Sequence, residues 1–138
     1  MAKPSVPAQS AIEENGRLAP LHPFKQPIAW LKAFWQFSRP HTIIGTSCST
    51  IALLAIALAA LPAAPDSGQV LTSWLVAWIA CLCGNVYIVG LNQVEDIAID
   101  RINKPHLPIA SGEFTKRHAQ LLVGLTEGAA IALSLLSQ

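Results

Sequence analysis

Residues 71–105 read LTSWLVAWIACLCGNVYIVGLNQVEDIAIDRINKP. Nothing up to Leu91 is charged, yet the next 14 residues hold Glu95, Asp96, Asp100, Arg101 and Lys104. A hydrocarbon core ~30 Å thick needs ~20 apolar residues of helix. The stretch therefore reads as a membrane span running straight into a charged helix end.

Two other segments have the same character. Residues 43–61 are uncharged throughout, and residues 119–136 are interrupted by a single acid, Glu127. Together with residues 70–91, where Asn85 is the main polar interruption, they predict three spans and an all-α, polytopic transmembrane helix bundle. Composition agrees: 52% of residues are hydrophobic and only 12% charged, whereas a soluble domain carries about a quarter charged residues. The net charge is +1, with the bases dispersed along the chain, which argues against a nucleic-acid partner and leaves the lipid bilayer. Cys48, Cys81 and Cys83 all lie in apolar runs. Residues two apart on a helix point about 200° apart, so Cys81 and Cys83 make a poor metal pair and are expected to be small core residues.

The chain divides into a flexible cytosolic leader, residues 1–27, and a membrane domain, residues 28–138. The leader holds Pro4, Pro7, Pro20 and Pro23 with Gly16. The first apolar run begins too far in, and runs too long, for a signal peptide, while Glu13 and Glu14 count against a plastid transit peptide. Residues 1–42 hold five Lys/Arg, residues 62–69 none and residues 92–118 four. Basic residues stay on the cytoplasmic side, so the N-terminus and the acidic stretch are expected there, with the short 62–69 link outside. Two spans joined so briefly are expected to be antiparallel neighbours. Before the first span, IAWLKAFWQFSRP suits an interfacial helix, and Trp74 and Trp78 are expected to mark the outer interface.

If the second span continues as a helix past Leu91, Asn85, Asn92, Asp96 and Asp100 fall within an arc of about 80°. Asp96 and Asp100 are then neighbours that repel unless something positive sits between them. Two carboxylates and an amide are hard oxygen ligands, suited to Mg²⁺ shared with a substrate phosphate. Glu95 points about a quarter-turn away. Arg101 and Lys104 follow at the helix end, before Pro105, placed to take phosphate oxygens. On spacing alone the same charges equally describe the solvated end of a span. Asn85 weighs toward a site, because polar groups within spans face a bundle interior or a cavity.

The pattern N-x-x-x-D-x-x-x-D at the end of the second span, followed by DRINKPHLPIASGEF, resembles the first aspartate-rich motif of the UbiA-type intramembrane prenyltransferases. The likeness reaches back through GNVYIVGLNQ to SRPHTIIGTS and covers residues 28–138. Asn-Gln in place of Asn-Asp, with the INKP and LPIASG tail, resembles the homogentisate-phytylating branch most. The resemblance implies an Mg²⁺-dependent aromatic prenyltransferase, in which Asp96 and Asp100 are catalytic and Asn92, Asp96 and Asp100 hold Mg²⁺ against a prenyl diphosphate. Arg101 and Lys104 would contact that diphosphate, and Asn85 would line the substrate site. The implied acceptor is homogentisate, on the route to tocopherol and prenylquinones, in a thylakoid or plasma membrane of an oxygenic phototroph. Such enzymes have about nine spans and a second acidic motif, whereas no acid follows Glu127 here. The chain is thus expected to be the N-terminal third of an enzyme, inactive alone and prone to self-association or needing a C-terminal portion. Alternatives are another member, such as chlorophyll synthase or a quinone-precursor prenyltransferase, and a non-catalytic Mg²⁺-binding membrane subunit.

The remaining polar residues carry less. Glu127 within a span is expected to be protonated or paired with another helix. His41 is read as an interfacial cap residue, and His22, His106 and His118 lack partners at ligand spacing. Gly84, Gly90 and Gly124 are expected to allow close helix approach.

Overall fold

The computed structural model describes residues 19–61 and 65–136, so most of the expected leader lies outside the described residues. Six helices and no strand occur among them: α1 Pro27–Phe37, α2 Pro40–Ala60, α3 Ser67–Glu95, α4 Ile97–Asn103, α5 Pro108–Ser111 and α6 Lys116–Leu136. Helices α2, α3 and α6 are long and apolar enough to cross a membrane. The fold is an all-α membrane bundle.

Proline places the first boundaries. Pro27 and Pro40 stand at the first turns of α1 and α2, where a missing N–H costs nothing. Between these helices the Ser38 hydroxyl turns back to the Trp35 carbonyl at 2.8 Å. Arg39 then adopts a left-handed φ of 51°, a conformation uncommon for a residue with a Cβ. That single residue breaks α1 from α2. At the start of α3, Asp66 caps the helix by accepting the Gln69 N–H at 3.0 Å.

Helix α3 is the mast of the molecule. Its 29 residues at ~1.5 Å each span ~43 Å, more than a ~30 Å hydrocarbon core requires. It packs along α2 on one side and, more extensively, along α6 on the other. The α2–α3 seam is polar. Asn85 Nδ2 donates to Thr42 Oγ1 at 3.0 Å, Trp78 Nε1 to Ser47 Oγ at 3.0 Å, and Trp74 Nε1 to the Thr50 carbonyl at 3.3 Å. Partner numbers rise on α2 as they fall on α3, so the two helices run antiparallel, as a short link demands. Trp74 and Trp78, expected as interface markers, stack on each other at 5.7 Å and direct their N–H groups into this seam. The alternative for each donor is an unpaired N–H among apolar side chains.

The three glycines differ. A Cβ on Gly90 would lie 2.6 Å from the Phe37 ring and 2.8 Å from a Val123 methyl, so α1, α3 and α6 converge there because the side chain is absent. Gly84 and Gly124 have nothing within 4 Å of that position, and the close-approach reading fails for both. Cys48 and Cys81 are likewise exposed rather than core residues, with Cys83 half-buried.

The main hydrophobic core gathers at the Glu95 end of α3 and draws Val86, Ala119 and Val123 of α3 and α6 into it. Phe37, Phe114, Ala33, Val94 and Ile109 are buried together, with Trp30, Phe34 and Leu21 against them. Phe114 meets Phe37 edge-on at 5.8 Å and Trp30 at the same separation. The LPIASGEF segment forms this plug. Gly112, at φ 95°, closes α5 in the left-handed conformation, and the Phe114 N–H returns to the Pro108 carbonyl at 2.8 Å. Leu21 is tied to the plug by its N–H, 2.9 Å from the Glu113 carbonyl. The opposite face of α1 leaves Ile28, Leu31 and Trp35 exposed beside Lys32, the pattern of a helix lying on an apolar surface.

Candidate functional site

The polar ribbon begins on the last turn of α3. Backbone bonds carry helical geometry through the α3–α4 junction: Asp96 N–H to the Asn92 carbonyl at 2.9 Å, Asp100 N–H to Asp96 at 2.8 Å, and Lys104 N–H to Asp100 at 2.7 Å. Asp96 itself is loosened to φ −93°, ψ 20°, which separates α4 from α3 without interrupting that ladder. Asn92, Asp96 and Asp100 thus follow one another at successive turns. Pro105 then stops the helix, since its ring cannot continue the ladder.

Burial divides the three. Asn92 and Asp96 are exposed, whereas Asp100 is 3% exposed. Its Oδ1 lies 3.0 Å from Lys104 Nζ, the sole ion pair among the described residues. A carboxylate taken out of water needs such a partner, because an unpaired buried charge costs far more than the pair. Arg101 and Glu95 are both exposed. Asn85 lies deeper, where its amide already holds Thr42 and, over a longer 3.5 Å, the Thr46 hydroxyl. A substrate contact would be an additional task for it.

The donors fit a hard divalent cation. Two carboxylates and an amide oxygen at successive turns are the right chemistry, and the Asp100 carboxylate already holds one cation, the Lys104 ammonium. Among the described residues no three His, Cys, Asp or Glu side chains gather closely enough to hold a metal alone. Any ion here must therefore complete its shell with the amide, water or a ligand's oxygens. Asp100 is also the one acid of the stretch that does not face open solvent.

Gln93 escaped the sequence reading. It is 1% exposed, and its Nε2 donates to the Phe37 carbonyl at 2.7 Å and to the Val89 carbonyl at 3.2 Å. Its Oε1 is buried without a hydrogen-bond partner. The residue next to Asn92 is therefore an anchor between α3 and the end of α1. The one available signal was its place in the pattern, Gln where related motifs have Asp. A buried carboxylate there would face the Phe37 carbonyl oxygen and repel it. Glu113, in the turn before α6, is half-buried: burial pushes its carboxyl above its ordinary value, while a hydrogen bond from Ser111 pulls the other way.

A model of the UbiA prenyltransferase family matches residues 49–138. The chain belongs to the UbiA prenyltransferase family. Among its relatives, a homogentisate phytyltransferase of Synechocystis sp. is 48% identical over 107 residues, covering 78% of this chain and 35% of the relative. A homogentisate geranylgeranyltransferase of Triticum aestivum is 48% identical over 94 residues, 67% of this chain and 22% of that protein. A chloroplastic homogentisate solanesyltransferase of Arabidopsis thaliana is 47% identical over 91 residues, 66% of this chain and 23% of that one. The chain spans about a third or less of the length of these UbiA relatives. No solved structure matches it.

Proposed function

We propose that this chain carries the first acidic motif of a homogentisate prenyltransferase, with Asp96 and Asp100 as its catalytic acids. The observation that supports this best is the succession of Asn92, Asp96 and Asp100 along one continuous backbone ladder, followed by Arg101 and Lys104. Relatives bearing three different prenyl names share homogentisate in all three. The acceptor is therefore assigned more firmly than the prenyl length, for which phytyl is the first choice.

A divalent cation held by Asn92, Asp96 and Asp100, Mg²⁺ in this reading, would supply positive charge that offsets a departing diphosphate. The chain's own side chains do the rest. Arg101 and Lys104 hold diphosphate oxygens at the helix end, and Asn85, with its Thr42 contact, lines the inner wall. The allylic C–O bond breaks with its electrons going to diphosphate. A homogentisate ring carbon forms the new C–C bond and then releases its proton. The carboxymethyl arm loses CO₂ and takes up a proton to become methyl. The apolar helices of the bundle would help keep water from capturing the cationic prenyl group.

The assay is homogentisate with phytyl, geranylgeranyl or solanesyl diphosphate and Mg²⁺, using membranes that contain the protein expressed from its own gene. The expected product is a prenylated methylbenzoquinol, detected by mass and missing from an Asp96→Asn control. Product that persists in that control overturns the assignment.

Orientation belongs to the same proposal. Lys and Arg counts put the acidic motif on the cytosolic or, in a plastid, stromal side. In a background with Cys48, Cys81 and Cys83 replaced, Ser67→Cys is expected to label from the opposite side to Ser111→Cys. Labelling of both from one side refutes it.

A further inference from the structure

We propose that Lys104 is a resident counter-ion which a divalent cation must displace from Asp100, so that the lysine is freed for diphosphate only once the metal is seated. The inference rests on the assignment of Asn92, Asp96 and Asp100 as metal ligands made above.

The geometry supports an exchangeable pair rather than a fixed one. Asp100 is almost wholly buried, with 4% of its side chain exposed, whereas 48% of the Lys104 side chain is exposed. The ammonium is thus held by Oδ1 at 3.0 Å at the end of a half-exposed side chain. Acid before base at i,i+4 is the favourable order on a helix. Arg101, one residue beyond the acid, projects about 100° away and cannot take that place on the same helix. The backbone bond from Lys104 N–H to the Asp100 carbonyl, 2.7 Å, fixes the lysine Cα wherever its side chain points. Departure therefore needs only rotation about the flexible stem, which carries a compact, well-hydrated charge.

Competition follows from charge. A metal held by Asp96 and Asp100 would compete with Lys104 for the Asp100 carboxylate. A divalent ion attracts the carboxylate more strongly than an ammonium does, but it must first remove the resident. The paired lysine thereby lowers the site's affinity for metal alone, and the liberated ammonium adds affinity for diphosphate once metal is bound. Binding of the two ligands is coupled through one side chain, and such coupling is reciprocal. A lysine that served only to contact diphosphate would leave metal binding untouched. The two roles give different expectations for the same substitution: unchanged or tighter metal binding.

The test is Mg²⁺ titration of the purified full chain in detergent, followed calorimetrically without diphosphate and then repeated with inorganic pyrophosphate. Lys104→Met is expected to bind Mg²⁺ about tenfold tighter than the unsubstituted protein, within the usual range of coupling between sites. With Mg²⁺ saturating, it should bind pyrophosphate more weakly. Its metal-free form should melt at a lower temperature, and Mg²⁺ should restore the difference. Lys104→Arg keeps the buried carboxylate paired, through a fork that grips better, and should bind Mg²⁺ more weakly than the unsubstituted protein. That variant keeps the proposal testable if Lys104→Met does not fold. Unchanged Mg²⁺ affinity in either variant overturns the counter-ion role while leaving the metal site standing. If the unsubstituted protein and Lys104→Met show no Mg²⁺ binding that Asp96→Asn abolishes, the metal site itself is refuted, and the counter-ion role with it.

Discussion

The Gln93 side-chain nitrogen lies 2.7 Å from the Phe37 carbonyl oxygen, joining the last residue of α1 to α3 one position beyond Asn92. That carbonyl belongs to a helix C-terminus, where the final oxygens lack helical partners, so one amide satisfies an orphan acceptor and fixes an interhelical contact. Gly90 sits one turn earlier and admits the Phe37 ring. The acid-bearing end of α3 is thereby held against α1, and the surface helix and the candidate site form one packed unit.

Gly90→Ala should therefore destabilise the protein. Its Cβ would meet a wholly buried Phe37 ring and a Val123 methyl, an overpacking cost of ~1–3 kcal/mol. Gly84→Ala is the control, since nothing lies within 4 Å of its new methyl, and the helix itself should gain up to ~1 kcal/mol. Thermal unfolding in one detergent compares them, and equal midpoints would remove Gly90 as the convergence point.

The α2–α3 seam should behave as hydrogen-bonded glue. Asn85→Leu and Trp78→Phe are each expected to cost ~0.6 kcal/mol, the usual worth of an interhelical bond in a membrane. Because Asn85 and Thr42 share a bond, Asn85→Leu and Thr42→Val should be non-additive in a double-mutant cycle. Strict additivity would deny the coupling.

Activity should discriminate among the three neighbouring acids. Asp96→Asn and Asp100→Asn are expected to remove nearly all turnover in membranes from the expressed gene, since a neutral amide replaces a charged ligand poorly. Glu95→Gln should be tolerated, because Glu95 lies about a quarter-turn off the ribbon. Equal loss at all three would defeat the helical-face argument. Full activity in either aspartate variant would defeat the metal role.

Glu113 offers a pH test. Its carboxyl is raised in the folded state by burial, so folding favours its protonated form. The sign follows from linkage: the folded protein binds more protons than the unfolded chain, and stability falls as pH rises from the unfolded value of 4.5 through the higher folded value. Glu113→Gln should raise the melting midpoint at pH 7 and lose that advantage below pH ~4.5. A benefit of the same size at both pH values would show that the charge is not its source.

Hydropathy and helical period determined, without coordinates, that α2, α3 and α6 are long and apolar enough to span and that Asn92, Asp96 and Asp100 follow one another at successive turns. Both properties are local: an apolar run of the right length must be helical in lipid, and a helix spaces its side chains by a constant angle. The family, too, was legible in the N-x-x-x-D-x-x-x-D block and its tail. Tertiary structure decided what period and hydropathy do not encode. It buried Asp100 and left Asp96 exposed, with α4 packed against α5. It also chose Gly90 over Gly84 and Gly124 as the point of contact, and turned Trp74 and Trp78 into donors to α2. It made Gln93 the anchor of α1, because its partner lies 56 residues away. Which residues meet across such separations depends on how the helices stack, and no window of sequence contains that.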